Sequence, residues 1–521
     1  MGLRTARNRT ERRWTALLVL CALGGVGACQ PDAPPPPNVV VIVLDTLRPD
    51  HLGTYGYSLP TSPNLDAWAA GAAVFENAQS AAPWTAPSLV SLFTSLYPSV
   101  HNVTEFGAPG QLNERVTTLA EVLKERGYAT AAFTEGGYAS ARLGLDQGIS
   151  HYVDADAQTA PDETPLEAKR GRLRRNLDAT LRWLDERDGE RPFFLFLQTY
   201  ETHTPYCAPQ EHVQRFAPEW DEAAEHAELA RVLERWKAAR EIDAAGLELL
   251  ISHREHCAPG NDIDATGLDE RLREHAVAAL DPRRLARWRA WYDAEIHYAD
   301  AELARLLQRL GEADLRENTL VVLTSDHGEE FGEHGRFGHG GALHDETLHV
   351  VLALRGPGVA PRRVGELVRT VDVMPTLLEL LGLDQGAPPL QGRSLVPLLR
   401  GRPLRAEPAF SHALAQRGNE DRLWSVRDGT WRLVWDAQAQ RARLYDLATD
   451  PGETRDVANE HASVCERLLA LLNAQREQDA LFEQHVSGPA QTGAAPDARA
   501  LEALGYTSTG EPGAGAPRSK L

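Results

Sequence analysis

Basic charge is scarce in this chain of 521 residues. Its 54 lysines and arginines stand against 74 aspartates and glutamates, a formal net charge of −20. That balance excludes a broad nucleic-acid-binding face, which needs clustered positive charge. It says little about a small ligand, because the local field of a site overrides net charge. Long apolar runs are also missing. Residues 14–26 come nearest, and that run is too short to read as a membrane span. Cysteine is the third scarcity, with five in all. The remaining composition, 42% apolar and 25% charged, is that of an ordinary globular protein with ample length for a large core.

The little basic charge there is gathers at the start. Arg4, Arg7, Arg9, Arg12 and Arg13 precede the apolar run, and Val26-Gly27-Ala28-Cys29 closes it. This resembles a bacterial lipoprotein signal over residues 1–28, with Cys29 lipidated as the first mature residue. A plain secretory signal or an uncleaved anchor is the competing reading. The expected place is the bacterial cell envelope, on its periplasmic or surface face, with the membrane reached through lipid. Residues 29–37 hold Pro31 and Pro34 to Pro37, an extended tether. With Cys21 in the signal and Cys29 lipidated, Cys207, Cys257 and Cys465 remain. Three thiols allow one disulfide and leave one cysteine over. Cys207 and Cys257 flank an insertion in an oxidising compartment and are expected to pair. The terminal Ser519-Lys520-Leu521 matches a peroxisomal address. The lipoprotein pattern is longer and more constrained, so the tripeptide is read as coincidence. Residues 487–521, rich in Gly, Ala, Pro and Ser, are expected to be disordered.

Between these ends strands alternate with helices. Residues 38–44, 193–197 and 319–324 are short, continuous, apolar runs, expected to be strands buried on both faces. Residues 129–133 and 349–354 read as further strands. Helices are expected from Leu89 through Leu96, closed by Tyr97-Pro98, over Val116–Arg126, across Leu173 to Leu184, and over Arg284–Leu310. Residues 207–282 break the rhythm and read as a helical insertion. After about residue 390 a smaller part begins, with a hairpin about Gly429, a helix from about Ala462 to Gln475, and an α+β character. Such alternation implies a mostly parallel sheet covered on both faces. Ligands of such sheets bind beyond the carboxyl ends of the strands. Asp45, Glu201 with His203, and Asp326 with His327 all follow an expected strand.

One further stretch joins them. In Pro83-Trp84-Thr85-Ala86-Pro87-Ser88-Leu89, Thr85 stands at the start of a helix, where unpaired N–H groups and the dipole favour an anion. The stretch resembles the nucleophile segment of the sulfatases, within the alkaline-phosphatase superfamily, whose pattern is Cys/Ser-x-Pro-Ser-Arg. Asp45-Thr46-Leu47-Arg48-Pro49-Asp50, Pro60-Thr61-Ser62-Pro63-Asn64, Glu201-Thr202-His203-Thr204-Pro205-Tyr206, Asp326-His327-Gly328 and Val371-Asp372-Val373-Met374-Pro375 match that family in its order. Three departures stand out. Threonine is not a precursor of formylglycine, Leu89 replaces the supporting arginine, and Thr134-Glu135-Gly136-Gly137-Tyr138 replaces a Gly-Lys-Trp-His segment.

The resemblance implies an alkaline-phosphatase-like α/β/α sandwich over residues 38–390 and a small C-terminal subdomain over 391–486. It implies metal ligands Asp45, Thr85, Asp326 and His327, and a catalytic Thr85 with His203 or His339 protonating the leaving oxygen. Substrate contacts fall to Arg48 and Glu201, although Arg48 could merely pair with a nearby acid. One imidazole beside two carboxylates favours zinc or manganese, with calcium or magnesium also admitted. No formylglycine is expected. The function implied is metal-dependent hydrolysis of a sulfate- or phosphate-type ester. Two alternatives are a phosphoethanolamine- or phosphoglycerol-type transferase and a non-catalytic binding protein on the same fold. His334, His344 and His349 are read as ordinary surface residues.

Overall fold

The computed structural model describes residues 35–104, 110–155, 169, 171–219, 282–413 and 423–486, with scattered helical positions between 224 and 235. The strands are β1 (Asn38–Leu44), β2 (Ala73–Gln79), β3 (Ala129–Thr134), β4 (His151–Asp154), β5 (Phe193–Thr199), β6 (Thr319–Ser325), β7 (Glu330–Phe331), β8 (Phe337–Gly338), β9 (His349–Val350), β10 (Leu352–Arg355), β11 (Arg362–Arg369), β12 (Ala409–Ala413), β13 (Leu423–Asp428), β14 (Trp431–Asp436) and β15 (Arg441–Asp446). The main sheet runs β11-β2-β10-β6-β1-β5-β3-β4, with β9 also on β2.

The centre follows from the apolar runs. β1, β5 and β6 are buried at every position, and β1 pairs parallel to both neighbours. The pleat sends alternate residues to opposite faces. Val39, Val41 and Val43 pack with the helices Thr85–Thr94 and Val373–Leu380. Val40, Ile42 and Leu44 pack with Arg172–Glu186 and Pro282–Leu310. The result is the expected α/β/α sandwich.

Several boundaries differ, each for a local reason. The helix beginning at Thr85 ends at Thr94, because Ser95 adopts a left-handed conformation (φ 57°), and Pro98 opens a separate short helix, Pro98–His101. The expected helix over 116–126 starts only at Leu119, where Thr118 and Glu121 form a capping box. The strand expected over 349–354 is broken at Val351. β9 pairs with β2, whereas β10 runs antiparallel between β6 and β2, the one reversed interior strand of the sheet. β2, β4 and β11 were not anticipated.

The second sheet, β12-β13-β14-β15, is antiparallel. The helix Ala462–Val486 packs Leu468 and Leu472 against its Val426, Leu433 and Leu444, and extends beyond the expected Gln475. It also grips the short helix Pro98–His101 region, through Ser99 Oγ to Asp479 at 2.5 Å and Asn102 Nδ2 to Glu483 at 2.8 Å. β12 reaches the main body directly. Ser411 Oγ donates to Ser80 O at 2.7 Å, and His412 N to Ala81 O at 2.9 Å.

Cys207 is disulfide-bonded and Cys465 is free. Cys257, its expected partner, lies outside the described residues, as do Cys29, the signal, most of the insertion and the C-terminal tail. Among the described residues no helix is long and apolar enough to cross a membrane.

Candidate active site

The register of the central strands builds the site. Leu44 of β1 lies opposite Thr199 of β5 and Ser325 of β6. The residues just beyond those ends, Asp45 and Asp326, are therefore brought side by side. The chain leaves β1 sharply: Thr46 has φ 58°, a costly conformation for a β-branched residue. Polar bonds hold it there. Thr46 Oγ1 donates to Thr202 O at 2.8 Å, the Tyr292 hydroxyl donates to Thr46 O at 2.8 Å, and Thr202 Oγ1 donates to Asp45 O. Thr46 therefore turns its hydroxyl to the backbone and not to the carboxylates.

Thr85 is the first residue of its helix, and its side chain does not cap it. The hydroxyl donates instead to Asp45 Oδ2 at 2.9 Å and lies 3.4 Å from His327 Nε2. His327 Nδ1 is held by Gly328 O at 2.9 Å, which leaves the Nε2 lone pair facing Asp45 Oδ1 at 3.7 Å and Asp326 Oδ2 at 3.5 Å. Asp326 Oδ1 is anchored by the N–H groups of His327 (2.8 Å) and Thr46 (3.3 Å). Gly328 has its own reason to be glycine. A Cβ there would meet Glu346 O at 2.1 Å, so the motif doubles as a crossing point for a second segment.

Asp45, Asp326 and His327 each offer a ligand atom, all within 4.8 Å of one another. Asp45 Oδ1 and Asp326 Oδ2 are buried with no hydrogen-bond partner among the described residues. Burial, and then the neighbouring Asp326, push the Asp45 carboxyl well above its usual range. Burial pushes His327 down to about 4. Two orphaned carboxylate oxygens and an unprotonated imidazole nitrogen fit a divalent cation, whose charge would reverse those penalties.

His203 and His339 stand over this group. The ring centroids of His339 lie 4.5 Å from His327 and 5.0 Å from His203. His203 Nδ1 holds Thr204 O, and His339 Nδ1 lies 3.0 Å from Glu329 Oε1. Burial lowers His203 and takes His339 down to about 4, and it raises Glu329 to about 8. Glu329, which orients His339, was not singled out in the sequence. Lys169 was also missed. Its buried ammonium donates to His203 O and Pro205 O and so fixes the His203 segment.

Arg48 and Glu201 sit differently. Arg48 forms a fork to Asp50 at 2.9 and 2.7 Å and reaches Glu329 O and Glu333 Oε1, both at 2.9 Å. The structure shows the acid-pairing role for Arg48, with no bond from it to Asp45, Thr85, Asp326 or His327. Glu201 is buried, and its charged neighbours are Glu295, Glu135 and Lys169.

An α/β/α sandwich with two aspartates and a histidine at the strand ends, and a threonine at the start of a helix beside them, defines an ester hydrolase of the alkaline-phosphatase-like class. The sulfatase family profile matches residues 37–383, and the profile of the N-sulphoglucosamine sulphohydrolase C-terminal region matches residues 332–478. The chain belongs to the sulfatase family. Arylsulfatase K of Mus musculus is 24% identical over 459 residues, covering 82% of this chain and 77% of that one. Choline-sulfatase of Rhizobium meliloti (strain 1021) is 25% identical over 461 residues, covering 81% and 82%. The crystal structure of the phosphonate monoester hydrolase of Agrobacterium radiobacter superposes with a TM-score of 0.63 at 24% identity, over 84% of this chain and 96% of that one. A structure in complex with its substrate D-glucosamine-2-N,6-O-disulfate gives 0.64 at 20% identity, over 85% and 98%.

Proposed function

We propose that this protein hydrolyses a sulfate- or phosphate-type ester with unmodified Thr85 as nucleophile, and that phosphorus esters are its better substrates. The observation that carries the reading is the Thr85 hydroxyl, turned away from its helix and onto Asp45 at 2.9 Å. Asp45, Thr85, Asp326 and His327 are the residues that would hold a divalent cation. Such an ion supplies positive charge against the non-bridging oxygens of the ester and lowers the proton affinity of a neighbouring hydroxyl.

The chain's own groups supply the rest. Thr85 Oγ1 gives its proton to Asp45 Oδ2 and forms a bond to phosphorus or sulfur as the bond to the leaving oxygen breaks. His339 passes its ring proton to the leaving oxygen as Glu329, raised to about 8 by burial and so protonated, gives its own proton to His339 Nδ1; His203, held by Thr204, is the other candidate donor. Water then attacks the esterified threonine, and the hydroxyl is restored. A formylglycine hydrate expels sulfate by collapsing to an aldehyde, a route that threonine lacks. A threonine sulfate must be cleaved by water directly, whereas a phosphothreonine is the more readily hydrolysed intermediate. The pattern around Cys29 supports an envelope location through a lipid anchor, which mass spectrometry of the mature N-terminus checks.

The test compares aryl sulfate, phosphate monoester and phosphate diester carrying the same phenol. Thr85→Ala is expected to abolish turnover with an unchanged melting profile, and Thr85→Ser to keep part of it. Rapid acid quench should trap phosphate on the peptide bearing Thr85. Full turnover by Thr85→Ala, or a formyl group in place of that side chain, would overturn the reading.

A further inference from the structure

We propose a second divalent-metal site, made by Glu330, His334 and His344, that ties the loop after β6 to the C-terminal sheet. The three residues each offer a ligand atom, all within 4.8 Å of one another. They share no residue with the group around Thr85. Consecutive residues part company here: Glu329 turns to His339, and Glu330 turns to His344, with Glu330 Oε1 3.7 Å from His344 Nδ1.

Two atoms point to a missing ligand. Glu330 is 1% exposed and His344 8%, yet Glu330 Oε1 and His344 Nδ1 have no hydrogen-bond partner among the described residues. A buried acceptor left unpaired is destabilising. The nearby charges do not relieve this. Arg336 approaches the other oxygen, Glu330 Oε2, at 3.6 Å, and Glu346 is engaged with His334 Nε2 at 3.2 Å. A carboxylate against an imidazole is also the arrangement that orients a ligating histidine and raises its basicity.

The backbone delivers the three side chains with care. The two-residue ladder of β7 and β8 closes a hairpin, and Gly332 and Gly335 take positive φ (91° and 66°) to carry His334 around its tip. His334 and His344 then stack with centroids 3.7 Å apart. His344 arrives on a segment clamped from the other sheet. Arg432 of β14 donates to Leu343 O at 3.1 Å and pairs with Asp345, and Glu453 accepts from Asp345 N at 2.6 Å. A cation here would join that clamped segment to the hairpin. Two imidazoles with one carboxylate are a donor set suited to zinc.

The full chain, stripped by chelator, is titrated with zinc(II) alone and its bound metal counted after desalting. Wild type is expected to retain two equivalents, His344→Asn one, and Asp326→Asn one. Cobalt(II) in Asp326→Asn should give the intense visible absorption of a tetrahedral site, and zinc should raise that variant's melting temperature. Glu330→Gln, nearly isosteric, replaces His344→Asn where the latter does not fold. Asp326→Asn holding no metal, or His344→Asn or Glu330→Gln keeping both equivalents, would overturn the proposal. None of these readouts depends on turnover, so failure of the hydrolase reading would leave this one standing.

Discussion

Thr85 Oγ1 and Asp45 Oδ2 lie 2.9 Å apart, although forty positions separate the two residues in the chain. One is placed by the end of β1 and the other by the first turn of a helix that packs on the same strand. Each element is rigid and buried, so the distance is set by the core and not by a loop. The proton of Thr85 therefore already points at a carboxylate before any ester arrives.

Metal removal should separate this site from the one around His344. His327→Ala deletes the only nitrogen ligand beside Asp45 and Asp326, so it should lose that cation and cut turnover by at least ~10²-fold, the upper end of the loss on removing even an outer-shell partner of a metal ligand. Elemental analysis of the desalted variant, read beside its rate on an aryl phosphate, checks both. An unchanged metal content would show that the ligand set is misassigned.

His339 should matter in proportion to how badly the leaving oxygen needs a proton. Its ring is 4.5 Å from that of His327 and is oriented by Glu329 at 3.0 Å. General acid catalysis is worth roughly 10²–10⁴-fold. His339→Ala should lose that much on an alkyl ester and far less on a nitrophenyl ester, whose phenolate leaves unaided. Glu329→Gln should follow the same trend more weakly. Equal losses on both esters would assign His339 to binding.

Much of this arrangement was legible because its parts are local. β1, β5 and β6 announce themselves as unbroken apolar runs, since both of their faces are covered. Asp45, Asp326 and His327 could be found because each directly follows such a run. β2 and β11 were hidden. β2 carries Glu76 and Asn77, and β11 lies at the sheet edge with Arg363, Gly365 and Glu366 in an irregular register. The Glu329–His339 pair and the Glu330–His334–His344 group were hidden for a different reason. They are assembled by a two-residue ladder, too short to leave any periodicity in the sequence. The surface reading of His344 was wrong: the residue is buried, on a segment whose neighbour Leu343 is held by Arg432, nearly ninety residues further along the chain.

Acid should loosen the helix that carries Thr85. His101 is buried, its Nδ1 accepts from Val103 N at 3.1 Å, and its Nε2 lies 3.0 Å from Ser91 Oγ on that helix. Burial pushes it down to about 3. The folded state thus binds the proton less readily than the unfolded chain, whose histidine titrates near ~6.5. Its contribution is fully present above ~6.5 and is lost as pH falls from there towards about 3. Each tenfold step in proton affinity is worth about 1.4 kcal/mol. Melting temperature against pH should fall steeply over this window in wild type and less steeply in His101→Gln.

Arg432 should be the most costly single arginine to remove. It is fully buried, bonds Leu343 O, Gln79 Oε1 at 2.9 Å and Asp345, and forms an ion pair with Glu453 at 3.2 Å. Arg432→Met strands Glu453 and leaves Asp345 with Arg427 alone, and should cost about 3–5 kcal/mol. Adding Asp345→Asn and Glu453→Gln should return part of that loss, read by denaturant unfolding. No recovery in the triple variant would mean that the packing of the side chain, and not its charge, is what matters.

The bonds from Ser411 and His412 to residues 80 and 81 also make the site depend on the second sheet. Ser80 Oγ in turn holds Asp326 O at 2.5 Å, so β12 braces the approach to Thr85 and the end of β6 together. A chain cut before β12 would keep every residue of the site and lose the strand that steadies it.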